Sequence, residues 1–170
     1  DATCPLVTKV HAEAIRYHKQ GYHIVLVGHR GHDEVVGTTG EVPGAITVVE
    51  SVAEVEQLAF TETDPLVYLT QTTLSMDDAQ TIIGALKDRY PQIKDPPSED
   101  ICYATTNRQR VVRTQAARAD MTLVVGSSNS SNSVRLTEIS ENAGTPAVRV
   151  DDLRELEPTM LAGVQTLLLT

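Results

Sequence analysis

Cys4 stands 24 residues before Gly28 (28 − 4), and Cys102 stands 24 residues before Gly126 (126 − 102). Between each cysteine and its glycine runs the same succession: an amphipathic stretch, a short apolar run, then the glycine and a polar cluster. The clusters are His29-Arg-Gly-His-Asp-Glu34 in the first half and Ser127-Ser-Asn-Ser-Ser-Asn-Ser133 in the second. An Asp also precedes each cysteine, Asp1 in one case and Asp100 in the other. A spacing repeated in this way restricts the chain to two copies of one supersecondary unit. A helix followed by an apolar strand and a strand-to-helix turn is the unit of α/β folds with a parallel sheet.

The periodicity along the chain fits that plan. Pro5, whose missing N–H costs nothing at a helix start, opens a helix with Leu6, Val10, Ala14 and Tyr17 on one face, and Gly21 ends it. Apolar runs predict strands at 24–27, 46–49, 66–70, 121–125 and 147–150, with a polar loop leading from Gly28 to the second of them. The capping box Ser51-x-x-Glu54 opens a helix. A further helix runs from Met76 to Tyr90, its buried stripe read as Met76, Ala79, Ile83 and Leu86. In the second half, helices are expected from 104 to 118 and through Leu136 and Ile139 to Gly144. The segment Val164 to Thr170 reads as an apolar strand cut at its carboxyl end. With Asp1 in place of Met at the start, the chain is expected to be trimmed at both ends. Pro96 and Pro97 mark 91–99 as a linker. The expected fold is therefore α/β, with two pseudo-repeated lobes at 1–98 and 99–170, each a small, mostly parallel sheet flanked by helices.

Composition narrows the function. A net charge of -9 in 170 residues argues against a nucleic-acid binder, whose footprint is basic. An anionic ligand would need a locally built site. No apolar run approaches the roughly 20 residues of a membrane helix, so no membrane partner is expected. Two cysteines and no signal peptide point to a reducing cytoplasm, with both thiols free for chemistry.

In open α/β sheets, ligands gather beyond the carboxyl ends of the strands, where helix starts offer free N–H groups. Ser130, Ser131 and Asn132 at such a turn suit a phosphate or diphosphate; the plainer reading is a serine-rich loop with an N-cap. His32 and Glu34 lie two apart and can aim an imidazole and a carboxyl at one ligand, the first to pair with phosphate, the second to deliver a proton. As an isolated cluster, His29 and His32 would be surface or capping residues and Glu34 a first-turn acid. Thr70, Thr72 and Thr73 either join the site or end a strand and cap the next helix. Cys4 and Cys102 form no local zinc or redox motif and by themselves would be core residues. At equivalent points of two repeats, they can instead serve a shared iron-sulfur centre, which wants further thiolates than these two.

Five motifs, in order and across essentially the whole chain, resemble the LytB family of 4-hydroxy-3-methylbut-2-enyl diphosphate reductases. They are Asp1-Ala-Thr-Cys-Pro-Leu-Val-Thr-Lys-Val-His11, Gly28-His-x-Gly-His-x-Glu34 with Gly37-Thr-x-Gly40, Thr70-Gln-Thr-Thr-Leu-Ser75, Asp100-Ile-Cys-Tyr-Ala-Thr-Thr-Asn-Arg-Gln109 and Gly126-Ser-x-Asn-Ser-Ser-Asn-Ser133. The resemblance implies the last step of the non-mevalonate isoprenoid pathway, in which an allylic hydroxyl is lost and isopentenyl and dimethylallyl diphosphates form. It also implies a three-lobed protein around a 4Fe-4S cluster held by three cysteines. Cys4 and Cys102 would be two of these; the remaining cysteine and substrate-site histidines would belong to an N-terminal lobe outside this sequence, and a further serine would follow its end. By the same resemblance Glu34 would be the proton donor with Thr72 in its hydrogen-bond relay, and His32, Ser130, Ser131 and Asn132 would hold the diphosphate. Thr73, Thr105 and Asn107 would be supports. The partners would be the small allylic diphosphate and an electron donor such as ferredoxin or flavodoxin, and the 170 residues alone should not complete the active site.

Two rivals belong to other classes. A phosphate-binding module of the phosphosugar type would leave the paired cysteines without a role. A cluster-bearing electron carrier would leave Glu34 and the serine-asparagine turn without one.

Overall fold

The computed structural model describes residues 3–170, so Asp1 of the expected Asp-cysteine pairing lies outside it. The chain divides into two compact units, Asp1–Cys102 and Tyr103–Thr170. The expected division after residue 98 is corrected by the segment that follows it. Asp100 Oδ2 accepts the Thr70 N–H at 3.0 Å, and the Cys102 N–H donates to the Thr72 carbonyl at 2.9 Å. These bonds hold 99–102 to the first unit, whereas the proline pair reports only that no helix continues there.

The first unit runs α1 (Pro5–Lys19), β1 (His23–Val27), α2 (Asp33–Glu41), β2 (Ile46–Val49), α3 (Val52–Gln57), β3 (Leu66–Thr70) and α4 (Met76–Arg89). Its sheet has the order β2-β1-β3, all parallel, with Ile24 opposite Ile46 on one side and Val67 on the other. The central strand is buried on both faces, as parallel sheets require. Val25 and Val27 join Leu66, Val55, Ala79, Ile82 and Leu86 beneath α3 and α4. Ile24 and Leu26 join Val67, Leu69, Val10, Ala14, Tyr17 and Val35 beneath α1 and α2. Each such large side chain contributes about 1.5–3 kcal/mol through removal from water. Pro5 occupies the first turn of α1, and Arg16, His18 and Lys19 face the negative end of its dipole. Gly21 then turns the chain at φ +81, a backbone state that favours glycine.

Two local expectations are also corrected. The segment after Gly28 is a loop only as far as His32; Asp33–Glu41 is helical. Its sequence, with Gly37, Gly40, Thr38 and Thr39, has poor intrinsic propensity, and burial of Val35 and Thr38 supplies what propensity lacks. On α4, Ile82 rather than Ile83 is buried, while Ile83 and Met76 are half-buried.

The second unit repeats the plan with α5 (Tyr103–Ala116), β4 (Met121–Val125), α6 (Ser131–Asn142), β5 (Ala147–Val150), two 3-10 turns and β6 (Leu167–Leu169). Its sheet order is β5-β4-β6, again parallel. The offset between units is 98 residues at the central strands (121 − 23) and again at the helices that follow (131 − 33). The core here is smaller: Val112, Ala116, Val124, Leu136 and Ile139, with Leu168 packed against it. The outer edges of the two sheets differ. Along β3, Lys94 donates to the Leu66 carbonyl at 2.9 Å and accepts the Tyr68 N–H at 3.2 Å, covering that edge. Along β6, Leu167 and Leu169 are exposed at the edge of the sheet. Among the described residues, no helix is long and apolar enough to cross a membrane.

Candidate active site

The strand-to-helix turns that follow β1 and β4 are built alike. At Gly28 a Cβ would lie 2.8 Å from Val35 Cγ2 and 3.0 Å from Gln71 Cβ. At Gly126 it would meet Ser133, 2.9 Å from that residue's Cβ. Val35 and Ser133 are each seven residues past their glycine (35 − 28; 133 − 126). Only glycine lets the first turn of each helix come this close to the end of its strand.

In the first unit His32 caps α2, its Nδ1 accepting the Glu34 N–H at 3.2 Å, which leaves the neutral ring's proton on Nε2. Glu34 therefore sits in the first turn, as its plainer reading expected, yet its carboxyl turns inward. Oε1 accepts the Thr72 N–H at 2.7 Å and Oε2 accepts the Thr72 hydroxyl at 3.0 Å. Burial pushes the Glu34 carboxyl above its ordinary range; the two Thr72 bonds and the nearby His32 and His11 oppose that shift without cancelling it. The result is an acid that keeps its proton to higher pH than an exposed glutamate.

The loop after β3 supplies the other side of this arrangement. Gln71, which the sequence reading passed over, is buried; its Oε1 accepts the His29 N–H at 3.0 Å and its Nε2 donates to Thr73 Oγ1 at 3.1 Å. It fixes the β1 turn to the β3 turn, and the only signal for it was an amide directly after an apolar strand. Ser75, rather than Thr72 or Thr73, caps α4. Thr72 is thus spared for Glu34, and its carbonyl accepts the Cys102 N–H.

Neither cysteine is a core residue: Cys4 is exposed at the start of α1 and Cys102 is half-buried, and neither is in a disulfide. Asp100 is buried, and Lys9 Nζ reaches its Oδ1 at 2.6 Å. Burial raises the Asp100 carboxyl while Lys9 and the Thr70 N–H oppose the shift. The two thiols suit soft iron as donors, and an iron-sulfur cluster takes such ligands. Among the described residues, no three His, Cys, Asp or Glu side chains gather as a metal site.

In the second unit Ser130 caps α6, its Oγ accepting the Ser133 N–H at 3.3 Å and the Ser133 hydroxyl at 3.0 Å. Ser127 Oγ accepts the Asn129 N–H at 3.3 Å. Ser131 and Asn132 form the first turn of α6, whose N–H groups point toward any anion at this end. Asn132 buries its Oδ1 with no hydrogen-bond partner. On α5, Thr105 is buried while Asn107 lies on the exposed face.

A family model described as LytB protein matches residues 1–170. The chain is 52% identical over 170 residues to 4-hydroxy-3-methylbut-2-enyl diphosphate reductase of Rhodopirellula baltica, covering 100% of this chain and 53% of the relative. It is 54% identical over 162 residues to the enzyme of the same name from Tropheryma whipplei, covering 95% of this chain and 52% of that one. Among solved structures, E-1-hydroxy-2-methyl-but-2-enyl-4-diphosphate reductase from Plasmodium falciparum superposes with a TM-score of 0.95 at 44% identity, over 100% of this chain and 54% of that one. The chain spans about half the length of the curated relatives it matches.

Proposed function

The chain belongs to the LytB protein family, and from that premise we propose that it is part of a cytoplasmic iron-sulfur reductase acting on 4-hydroxy-3-methylbut-2-enyl diphosphate. The observation that carries this reading is the position of Thr72. Its N–H and hydroxyl hold the Glu34 carboxyl, and its carbonyl accepts the backbone N–H of Cys102. An acid with a raised pKa and a soft metal ligand meet on one residue, which neither a phosphate-binding module nor an electron carrier requires.

Cys4 and Cys102 would be two ligands of a 4Fe-4S cluster whose remaining cysteine ligand lies outside these residues. When bound, that cluster would supply electrons, delivered by a donor such as ferredoxin or flavodoxin, and a Lewis-acidic iron. Glu34 would hand its proton to the allylic hydroxyl, so that water rather than hydroxide departs. Two electrons and a second proton complete the balance: the C–O bond breaks, a C–H bond forms at either end of the allylic unit, and isopentenyl or dimethylallyl diphosphate results. Thr72 would keep the Glu34 carboxyl oriented between turnovers. His32, through its Nε2–H, would bind a diphosphate oxygen. In the second unit Ser130, Ser131 and Asn132 would offer hydroxyl, amide and helix-start donors of the kind that bind a diphosphate. Thr73, Thr105 and Asn107 would support the site.

The test is anaerobic purification of the full-length protein, followed by incubation with the allylic diphosphate and a reduced dye. A brown protein that consumes the substrate and oxidises two equivalents of dye per product supports the reading. A colourless protein that binds the diphosphate unchanged would leave a binding module, and a brown protein inert toward the substrate would leave a carrier.

A further inference from the structure

Each cysteine has a charged residue close to it in sequence, and those two residues are paired. Lys9 lies five residues beyond Cys4 on α1 (9 − 4), about 7.5 Å along the helix axis. Asp100 lies two residues before Cys102 (102 − 100), in the irregular strap that precedes α5. Lys9 Nζ sits 2.6 Å from Asp100 Oδ1, donates to the Ser98 carbonyl at 3.0 Å and lies 3.4 Å from Glu13 Oε1. The other Asp100 oxygen takes the Thr70 N–H at the end of β3. One carboxylate, with a fully buried side chain, thus joins α1, the strap and the central sheet. An exposed ion pair would constrain little; here the carboxylate is buried and its other oxygen is hydrogen-bonded, so Lys9 reaches a fixed acceptor.

We propose that Lys9 and Asp100 are positioning residues for the metal ligands, the pair holding the strap that ends in Cys102 against the helix that Cys4 opens. This inference rests on the cluster reading above. The residues that orient a metal's ligands matter nearly as much as the ligands: their loss typically costs about 10- to 100-fold in metal affinity. Neither Lys9 nor Asp100 need touch the substrate. Their effect passes through the two thiol-bearing segments, whose separation the ion pair sets. The Cys102 N–H bond to Thr72 carries the same constraint to the residue that holds Glu34.

The experiment uses the full-length protein, reconstituted anaerobically, as parent, Lys9→Gln and Asp100→Asn. Lys9→Gln removes the cation without adding bulk, and Asp100→Asn keeps an acceptor for the Thr70 N–H. Iron and sulfide per chain, the rate of iron loss to a chelator, and the electron paramagnetic resonance spectrum of the reduced cluster are measured beside the melting temperature of the apoprotein. The parent's own iron content reads the cluster proposal, so a parent without a cluster fails that reading and not merely this one. With a cluster in the parent, both variants are expected to lose iron about tenfold faster and to show an altered spectrum. Parental iron retention and spectrum in either variant that folds would overturn the assignment, whatever its melting temperature. Failure of both variants to fold would also overturn it, making the pair a stability element.

Discussion

Replacing Glu34 by glutamine in the full-length protein separates the chemistry of the carboxyl from its shape. Glu34 accepts the Thr72 N–H at 2.7 Å and the Thr72 hydroxyl at 3.0 Å. A glutamine in the same rotamer keeps the first bond through its carbonyl and reverses the second, its NH2 donating to Thr72 Oγ1. Exchanging charge-assisted for neutral bonds costs about 1 kcal/mol, and relief of a buried carboxylate's desolvation acts in the opposite direction. Stability at neutral pH is therefore expected to move by about 1 kcal/mol or less. Turnover should behave differently. Loss of a positioned general acid lowers rates by about 10²- to 10⁴-fold, or about 2.7–5.4 kcal/mol of barrier. Because the pKa of Glu34 is raised in the folded protein, its contribution to stability is full below the unfolded value and is lost as pH rises through the folded one. Parental turnover should fall over the same upper range as the acid ionises, and Glu34→Gln should lack both the stability slope and the activity limb. The assay is anaerobic steady-state turnover with a reduced dye from acid to neutral pH, at matched iron content, beside thermal melts of the apoproteins. A variant within about threefold of the parent, with the same pH profile, would refute the assignment of Glu34 as proton donor.

Cys102→Ser in the full-length protein should lose cluster iron; an iron content equal to the parent's removes that thiol as a ligand. Gly126→Ala would place a Cβ 2.9 Å from Ser133 Cβ and is expected to destabilise the protein by about 1–3 kcal/mol, read by urea denaturation, with no change meaning that the turn is looser than described. Ser130→Ala removes the cap that accepts the Ser133 N–H and should cost about 1 kcal/mol of stability. If Ser130 also binds diphosphate, KM should rise at least about tenfold in the same variant, the size of one lost bond to a charged group, whereas a stability loss with parental KM would leave Ser130 as a cap alone.

Much of the fold was legible because apolar runs and helix signals agreed. The runs at Ile24–Val27, Leu66–Thr70 and Met121–Val125 became strands, and Pro5 and Gly21 bracketed α1 as their backbone preferences dictate. The helix α2 was not legible from its own residues, since two glycines and two threonines in nine positions outweigh one buried valine. The equivalence of the halves could have found it, because the segment 98 residues later starts a helix too (131 − 33). Ile82 and Ile83 are equally periodic with Ala79 and Leu86, and only the direction of the sheet chooses between them. The division between units escaped for a related reason: prolines report where a helix stops, and not that Asp100 will be drawn under α1. At the site, sequence offered candidate residues with two roles each. His32 and Ser130 are caps in the structure, and a residue that caps a helix can also face a ligand, as His32 could with Nε2 while its Nδ1 caps, so only the inward turn of Glu34 onto Thr72 added what spacing could not.

The unequal sheet borders have a practical meaning. Along β3 the backbone is already paired with Lys94, so a foreign strand finds no register to join there. Along β6 the main chain of Leu167–Leu169 ends the sheet with apolar side chains in the open, a template on which another copy can add its own strand. With these 170 residues at high concentration, the second unit would be the first to self-associate, and a lysine in place of exposed Leu169 is the substitution that would keep it in solution.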